Sequence, residues 1–220
     1  MPRRRVEVTT RDGVVLEGAV GALAEAEGAG ERGRLGVLIT HPHPKLGGDM
    51  YNNVVTAVAR ALTEAGFTTM TLNFRGVGRS KGSSSWQGTN ERKDVEAALE
   101  FLRAETGVEN VALVGYSFGA AIGLGADAKD LRGYVAISYP YGRAASCALS
   151  SHFRRADNSL PKLFLIGDKD QFANVQGLKA FASGLEVPGE VKVFDDVDHF
   201  WQGRESDLVG PVKTFLDSLL

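Results

Sequence analysis

Patterns typical of buried strands alternate with helical patterns along most of the chain. Continuous apolar runs such as LGVLITHP and NVALVGY have the composition of strands that are buried on both faces. Between such runs, residues 50–65 and 90–106 repeat apolar side chains at helical spacing. Parallel neighbouring strands need crossover connections, so this alternation predicts an α/β fold with a mostly parallel sheet and helices on both faces. Functional loops of such a sheet lie at the carboxyl ends of its strands.

The remaining segments suggest one domain over residues 1–220. Alternating patterns on either side of Arg11-Asp12-Gly13 predict an opening hairpin, because glycine permits the tight turn between two short strands. No repeat, low-complexity tract or long linker divides the chain. Residues 141–160 form the segment in which a cap over a site could lie, and its length predicts one or two helical turns and therefore an open site.

Charge and composition exclude several kinds of partner. The formal net charge is -2 and the pI is near 6.1, so the chain lacks the positive field that gathers nucleic acid. No apolar run reaches the roughly 18 residues of a membrane span, and none follows the basic start as in a signal peptide. Cys147 is the single cysteine and cannot form an internal disulfide. We therefore expect a cytoplasmic protein without a nucleic-acid or membrane partner.

The pattern G-x-S-x-G occurs twice, at residues 115–119 and 78–82. In a chain with 27 glycines a chance match is a real risk, so the flanking sequence has to decide. A nucleophile elbow needs a strand that enters it and a helix that leaves it, because this sharp turn exposes the hydroxyl. NVALVGY precedes Ser117 and FGAAIGLGA follows it, whereas Ser80 continues into a Gly and Ser loop. Ser117 is the predicted nucleophile and Ser80 a turn residue.

A serine hydroxyl needs a neighbouring imidazole to take its proton. The chain has four histidines. His199 follows the strand EVKVF and precedes the last helix, so it is expected at the carboxyl edge of the sheet. His41 and His43 lie before the serine, and His152 lies in an irregular stretch. His199 is therefore the predicted base, and we expect activity to decline below about pH 6 to 7 because a protonated imidazole cannot accept the serine proton.

A carboxylate must hold this imidazole in the right tautomer. Asp168 and Asp170 both follow the strand KLFLI. The first residue after a strand usually turns back toward it, while a residue two positions further can reach the neighbouring loop, so Asp170 is the preferred acid. Asp168 is then a capping residue, although it stays the alternative acid. The aspartates near His199 are interpreted as solvated or capping.

Fixed N–H donors must stabilise the oxyanion of the tetrahedral intermediate. One predicted donor is the amide of Phe118, at the start of the helix after the nucleophile. The second donor should come from residues 41–44, the HPHP loop, in which neither proline carries an N–H. This favours the amide of His43 over those of Lys45 and Leu46. His41 is expected to hydrogen-bond the loop, and we predict no metal site because no further ligand pair lies near His41 and His43 in the sequence.

Five motifs in order, THPHPKLGGDMYNN, LNFRGVGRSKG, GYSFG, GDKDQF and DHFW, span about residues 35–202. With them the chain resembles the α/β-hydrolase superfamily, and within it the small HPHP-loop serine hydrolases of the dienelactone hydrolase and serine aminopeptidase-like group. This resemblance implies an eight-stranded sheet whose first strand pair is antiparallel, and the chain order Ser, Asp, His. It also implies that Arg75, Gly76 and Gly78 shape a loop. Many relatives have a large helical cap, for which this chain has little room.

The interpretation favoured by these residues is a serine hydrolase that cleaves esters of small or medium acyl substrates through an acyl-enzyme, without a cofactor. Tyr141, Phe172 and Trp201 are the predicted substrate-binding residues, and His152, Phe153 and Arg154 are weaker candidates for lining the site. Two alternatives stay open. Amide or peptide hydrolysis would use the same three catalytic residues, and a non-catalytic ligand-binding protein could keep the fold.

Overall fold

Eight strands form one sheet in the computed structural model, which describes residues 3–22, 30–126, 130–155 and 159–220. The strands are β1 (Arg4–Thr9), β2 (Val15–Gly21), β3 (Leu35–Thr40), β4 (Thr68–Leu72), β5 (Asn110–Tyr116), β6 (Leu131–Ile137), β7 (Lys162–Gly167) and β8 (Glu190–Phe194). The helices are α1 (Asn53–Glu64), α2 (Glu91–Thr106), α3 (Phe118–Leu124), α4 (Arg143–Arg155), α5 (Val175–Ser183) and α6 (Ser206–Asp217). The α/β fold class predicted from the sequence is confirmed.

The strand order is β1-β2-β4-β3-β5-β6-β7-β8. Strand β2 is antiparallel to both β1 and β4, and every other neighbouring pair is parallel. The expected antiparallel first pair is therefore present. Strand β4 lies on one side of β3 and β5 lies on the other. The connections that follow β3 and β5 therefore run in opposite directions across the sheet. A crevice at the carboxyl ends of such diverging strands is where open α/β sheets bind ligands.

The central strands are buried on both faces because a layer of helices packs on each side. Every residue of β3 is buried, as the continuous apolar run predicts. One apolar cluster contains side chains of α1 and α6, and the other contains side chains of α2, α3 and α5. Helix α1 begins at a cap in which the Asn52 side chain accepts the Val54 amide at 3.0 Å. Helix α2 ends at Gly107, in the left-handed conformation that glycine adopts without strain.

The predicted cap segment contains a longer helix than expected. Helix α4 has 13 residues, between three and four turns, rather than one or two. Residues 156–158 of the segment lie outside the described part of the chain. None of the helices in that described part has the length and apolarity needed to cross a membrane.

Candidate active site

Ser117 lies at the sharp turn between β5 and α3. Its φ is 53° and its ψ is -115°, a backbone conformation that non-glycine residues rarely adopt. The surrounding structure maintains this strain, since the Ser117 amide donates to the Ile137 carbonyl of β6 at 2.8 Å. The turn exposes the hydroxyl above the carboxyl end of the sheet. It is the strand-turn-helix geometry that the sequence predicts for residues 115–119.

The two glycines of this pattern are required by close packing. A Cβ on Gly115 would lie 2.4 Å from the Cα of Ala120, and a Cβ on Gly119 would lie 2.6 Å from the His41 carbonyl oxygen. The Gly119 amide donates to that same carbonyl at 3.1 Å. Helix α3 therefore packs directly on the end of β3, which places the start of the helix beside the HPHP loop.

His199 joins Ser117 to Asp170. The Nε2 atom of His199 lies 2.9 Å from the Ser117 Oγ, and its Nδ1 atom lies 2.8 Å from one Asp170 carboxylate oxygen and 2.9 Å from the other. A carboxylate only accepts, so Nδ1 carries the proton and Nε2 is free to accept from the serine hydroxyl. The structure thus brings together the three side chains that the sequence separates by up to 82 positions.

The Asp170 carboxylate is fixed in place. Its side chain is completely buried, and one oxygen also accepts the amides of Phe172 at 2.8 Å and Ala173 at 3.0 Å. His199 is oriented from its backbone as well, because the Tyr116 hydroxyl donates to its carbonyl at 2.8 Å. Burial raises the pKa of Tyr116, which keeps this hydroxyl protonated as a donor. The imidazole is therefore held by both its ring and its main chain.

The neighbouring aspartates cap backbone amides. Asp168 accepts the Asp196 amide at 2.7 Å, and Asp198 accepts the amides of Phe200 at 2.9 Å and Trp201 at 3.2 Å. These are the capping contacts that the sequence predicts. His199 contacts Asp170 rather than Asp168.

Ser80 has a purely structural environment. Its hydroxyl accepts the Glu17 amide and donates to the Asn73 carbonyl, both at 2.8 Å, and the residue is buried. The loop around it is held by Arg75, which contacts the Asp94 carboxylate at 2.6 Å and Asp12 at 3.1 Å. The second G-x-S-x-G match is thus a turn that joins β4 to the opening hairpin.

His41 braces the loop after β3. It is completely buried; its Nδ1 lies 2.7 Å from the Pro42 carbonyl, and its Nε2 accepts the Phe74 amide at 3.1 Å. Both ring nitrogens are used, so His41 is a neutral structural residue as expected. Burial lowers its pKa to about 4. The described residues contain no group of three His, Cys, Asp or Glu side chains placed to hold a metal.

Two amides, of residues that line the same cavity as Ser117, lack an acceptor within the described chain. The Phe118 amide starts α3 and has no intrahelical partner. In the HPHP loop, the Lys45 amide donates to the His43 ring at 3.1 Å and the Leu46 amide donates to the His43 carbonyl at 3.0 Å. Of the three candidate donors of this loop, only the His43 amide has no acceptor among the described residues.

A cavity of about 670 Å³ opens at Ser117. Its lining includes His43, Phe118, His199 and Phe172, and the Phe172 ring meets the His199 ring edge-on at 4.6 Å. None of the described lining residues is Asp, Glu, Lys or Arg. Six large apolar side chains are exposed in the described chain, and four of them line this mouth: Leu46, Trp86, Phe172 and Phe200.

Two of the three predicted substrate-binding residues lie elsewhere. Trp201 is completely buried beneath the site, where its indole donates to the Ser138 hydroxyl at 2.9 Å and its ring packs on Phe194. Tyr141 lies outside the lining and packs on Phe181, with ring centroids 4.7 Å apart. Both predictions were wrong because proximity in sequence to a strand end does not determine which way a side chain points. Phe172 does line the cavity.

The cap helix contributes Leu149 to the lining. His152 and Phe153 of the same helix are buried rather than solvated, and neither they nor Arg154 line the cavity at Ser117. His152 lies 2.7 Å from the Gln87 carbonyl, so α4 is anchored to the loop that precedes α2.

The sequence gives only a weak signal for the remaining lining residues. Trp86 belongs to the Gly and Ser loop, and the centroid of its ring lies 4.7 Å from the centroid of the His43 ring. The feature of the sequence that could have indicated it is a single large aromatic residue within a loop of small residues. Phe200 directly follows His199, and Gln171 lies between the acid and Phe172.

Comparison with known proteins agrees with this architecture. A sequence profile for the alpha/beta hydrolase fold matches residues 43–130. An a/b serine hydrolase without lid from Xanthomonas campestris is 28% identical over 100% of this chain and 97% of its own, with a TM-score of 0.82. An alpha-beta serine hydrolase homologue from Coxiella burnetii is 27% identical over 100% and 99% of the two chains, with a TM-score of 0.80. An uncharacterized protein of Rickettsia prowazekii is 28% identical over 187 residues, 81% of this chain and 77% of that protein.

The chain therefore has the α/β-hydrolase fold, and these matches support its placement in the α/β-hydrolase superfamily. Its fold and its structural relatives support hydrolase activity.

Proposed function

We propose that this protein is a serine esterase that cleaves neutral esters of small or medium acyl groups through an acyl-enzyme. The single observation that carries this proposal is the continuous contact from the Ser117 hydroxyl to the His199 ring and on to the buried Asp170 carboxylate, at 2.9 and 2.8 Å. The contact lies at the floor of an open, mainly apolar cavity. It needs neither metal nor cofactor.

The reaction follows from this geometry. The Ser117 oxygen attacks the ester carbonyl carbon while His199 Nε2 takes the hydroxyl proton. The negative oxygen of the tetrahedral intermediate accepts from the Phe118 and His43 amides, which have no other acceptor among the described residues. When the C–O bond breaks, His199 returns the proton to the leaving alcohol. Water then attacks the acyl group by the same route and releases the acid and free Ser117.

Asp170 acts through the imidazole. As a carboxylate it fixes the N–H of Nδ1 toward itself and stabilises the imidazolium that forms in each step. The Phe172 and Ala173 amides donate to one oxygen of this carboxylate and fix its orientation toward the imidazole. A buried acid without these donors would be a weaker partner for the imidazolium.

The cavity chemistry favours neutral esters over peptides. An aminopeptidase must hold the ammonium group of its substrate, and among the described residues the lining offers no carboxylate for it. Burying that charge without a partner costs several kcal/mol. The four apolar residues at the mouth instead offer contact to a hydrocarbon chain, worth about 25 cal/mol per Å² of area buried.

The test is a comparison of p-nitrophenyl esters of two to twelve acyl carbons with aminoacyl p-nitroanilides. We expect multiple turnover of the esters, with the best kcat/KM in the short-to-medium range, and much slower turnover of the anilides. Faster anilide hydrolysis would support an amidase instead. Absence of turnover on every ester would contradict the proposal.

The role of Asp170 has its own matched pair of variants. Asp170→Asn should lower kcat on the order of 10³- to 10⁴-fold, because the amide favours the wrong imidazole tautomer. Asp168→Asn removes a charge at the same strand end but spares the imidazole, so kcat should change less than about threefold. Steady-state kinetics on one ester measure both. Equal losses in the two variants would contradict the assignment of Asp170.

A further inference from the structure

A second cavity, of about 440 Å³, lies at the antiparallel edge of the sheet, and among the described residues it shares no lining residue with the cavity at Ser117. Helix α1 forms one wall, and β1, β2 and β4 form the floor. Three arginines line it, Arg3, Arg5 and Arg60, against one carboxylate, Glu64. That carboxylate is already bound to Arg60 at 2.8 Å. The cavity therefore has an excess of positive charge.

Arg3 is the unusual member of this set. It is half-buried, and among the described residues its guanidinium has no carboxylate partner; its Nη2 donates to the Ala19 carbonyl at 3.0 Å. Its Nε is buried with no hydrogen-bond partner in that part of the chain. Burial lowers the pKa of Arg3, as expected for a cation that no anion compensates. Burying an unpaired guanidinium is costly, and a bound anion would remove the cost.

A second unpartnered group lies on the same floor. Thr71 is only 1% exposed, and its hydroxyl has no partner within the described residues. The strand register places Arg5 opposite Ala19 and Ala19 opposite Thr71, so all three face the same side of the sheet. Arg3, which directly precedes β1 and lies two residues before Arg5, is on that face too, since it lines the cavity and donates to the Ala19 carbonyl. A hydroxyl donor and two guanidinium donors thus converge on this cavity from different strands.

We propose that this cavity binds a small phosphate-bearing molecule, with Arg3, Arg5 and Thr71 as ligands of the phosphate group. Guanidinium groups pair with phosphate oxygens in a bidentate manner, and donors that come from two strands suit a tetrahedral group better than a planar carboxylate. The cavity is larger than phosphate alone, so the ligand carries an organic part. The Tyr51 ring lines the same cavity and is 56% exposed, which offers a face for that part.

Calorimetric titration and thermal unfolding at constant ionic strength test this site with three probes: inorganic phosphate, phenyl phosphate and benzoate. We expect saturable binding of both phosphates with millimolar or lower Kd, tighter for phenyl phosphate, and weaker binding of benzoate. Bound ligand should raise the unfolding temperature in a concentration-dependent way. Benzoate binding as tight as phenyl phosphate would overturn the assignment to phosphate.

The variants locate the site. Arg3→Gln should weaken phosphate binding about tenfold or more, and Thr71→Val, which keeps the side-chain shape, should weaken it severalfold. Arg4→Gln is the matched control, because Arg4 is on the opposite face of β1 and pairs with Glu105. It should bind phosphate as the unmodified protein does. The proposal is overturned if neither phosphate binds saturably up to about 10 mM, or if Arg3→Gln and Thr71→Val both leave binding unchanged.

Discussion

The two G-x-S-x-G segments of this chain share a pattern and differ in almost every physical respect. At Gly115 to Gly119, a buried strand enters and a helix leaves, and the serine hydroxyl contacts an imidazole. At Gly78 to Gly82, the serine hydroxyl is bonded to two main-chain groups of neighbouring strands. Its hydrogen-bonding capacity is used for structure, so it has no free role in chemistry.

The glycines of the two segments differ in the same way. Gly119 is needed because His41 lies too close for any side chain. A Cβ on Gly82 would make only ordinary contacts, the nearest at 3.4 Å to Val14, but the residue has a φ of +80°. Close approach of a helix to a strand and a left-handed turn are separate reasons to place glycine. What makes one segment a candidate nucleophile elbow is therefore its flanking elements, not its five letters.

The largest expected difference is between Ser117→Ala and Ser80→Ala. Ser117→Ala should reduce kcat on an ester on the order of 10⁴-fold or more, because the attacking oxygen is lost. Ser80→Ala should keep kcat but lower the free energy of unfolding by roughly 1–3 kcal/mol, because buried main-chain groups lose their partner. Ester kinetics and urea unfolding of both variants measure this. Loss of activity in a well-folded Ser80→Ala protein would contradict the comparison.

His41 contacts both segments. Its protonation should make the free energy of unfolding depend on pH. Its carbonyl accepts the Gly119 amide, and its ring accepts the Phe74 amide, just before the loop of Ser80. The pKa is about 4 in the folded protein, against about 6.5 when unfolded, so the unfolded chain binds the proton first. Above about pH 6.5, His41 is neutral in both states and does not lower the free energy of unfolding. Between pH 6.5 and pH 4, its protonation in the unfolded chain should lower that free energy by about 3 kcal/mol.

His41→Gln checks that effect, because glutamine can donate and accept but does not titrate. The fall in unfolding free energy between pH 6.5 and 4 should become clearly shallower in this variant. Urea unfolding at several pH values provides the measurement. An unchanged pH dependence would show that His41 is not the group responsible.

The last glycine of each segment, Gly119 or Gly82, should show a smaller difference in stability and kcat when it is replaced. Gly119→Ala should destabilise by about 1–3 kcal/mol and lower kcat, because the new methyl group pushes the start of α3 and its Phe118 amide away from the site. Gly82→Ala should cost about 1 kcal/mol from its left-handed backbone and leave kcat unchanged. Thermal unfolding and ester kinetics of the pair are the measurement. Equal kcat in both variants would argue against a role for the α3 amide.

The smallest effect concerns a contribution of the Ser80 loop to the candidate site. Trp86, further along that loop, lines the mouth of the cavity. Trp86→Ala should raise KM severalfold for medium acyl esters and little for acetate, with kcat unchanged, because only contact area is lost. Leu220→Ala removes an exposed apolar side chain that does not line the cavity, and it should change neither constant. A uniform loss over all acyl lengths would place Trp86 in a different role.

Much of this architecture follows from the sequence, for reasons that particular residues show. The continuous apolar run of β3 and the elbow at Ser117 are local patterns with direct structural meaning, and the fold class was predicted from them. Asp170 and His199 could be predicted because both follow strands whose carboxyl ends must meet at one edge of the sheet.

Side-chain direction was not available from the same patterns. Trp201 is two positions from His199 and yet points into the core, while the adjacent Phe200 points to the mouth. The full length of α4 was also missed, because its sequence is mainly polar and small and contains only two large apolar residues, Leu149 and Phe153. Both features depend on packing between segments that are distant along the chain.

The most direct test of the central claim is labelling with a fluorophosphonate probe followed by peptide mapping. We expect one covalent adduct per chain, located on Ser117, and no labelling of the Ser117→Ala or His199→Gln protein. An adduct on Ser80, or continued labelling of the Ser117→Ala protein, would contradict it.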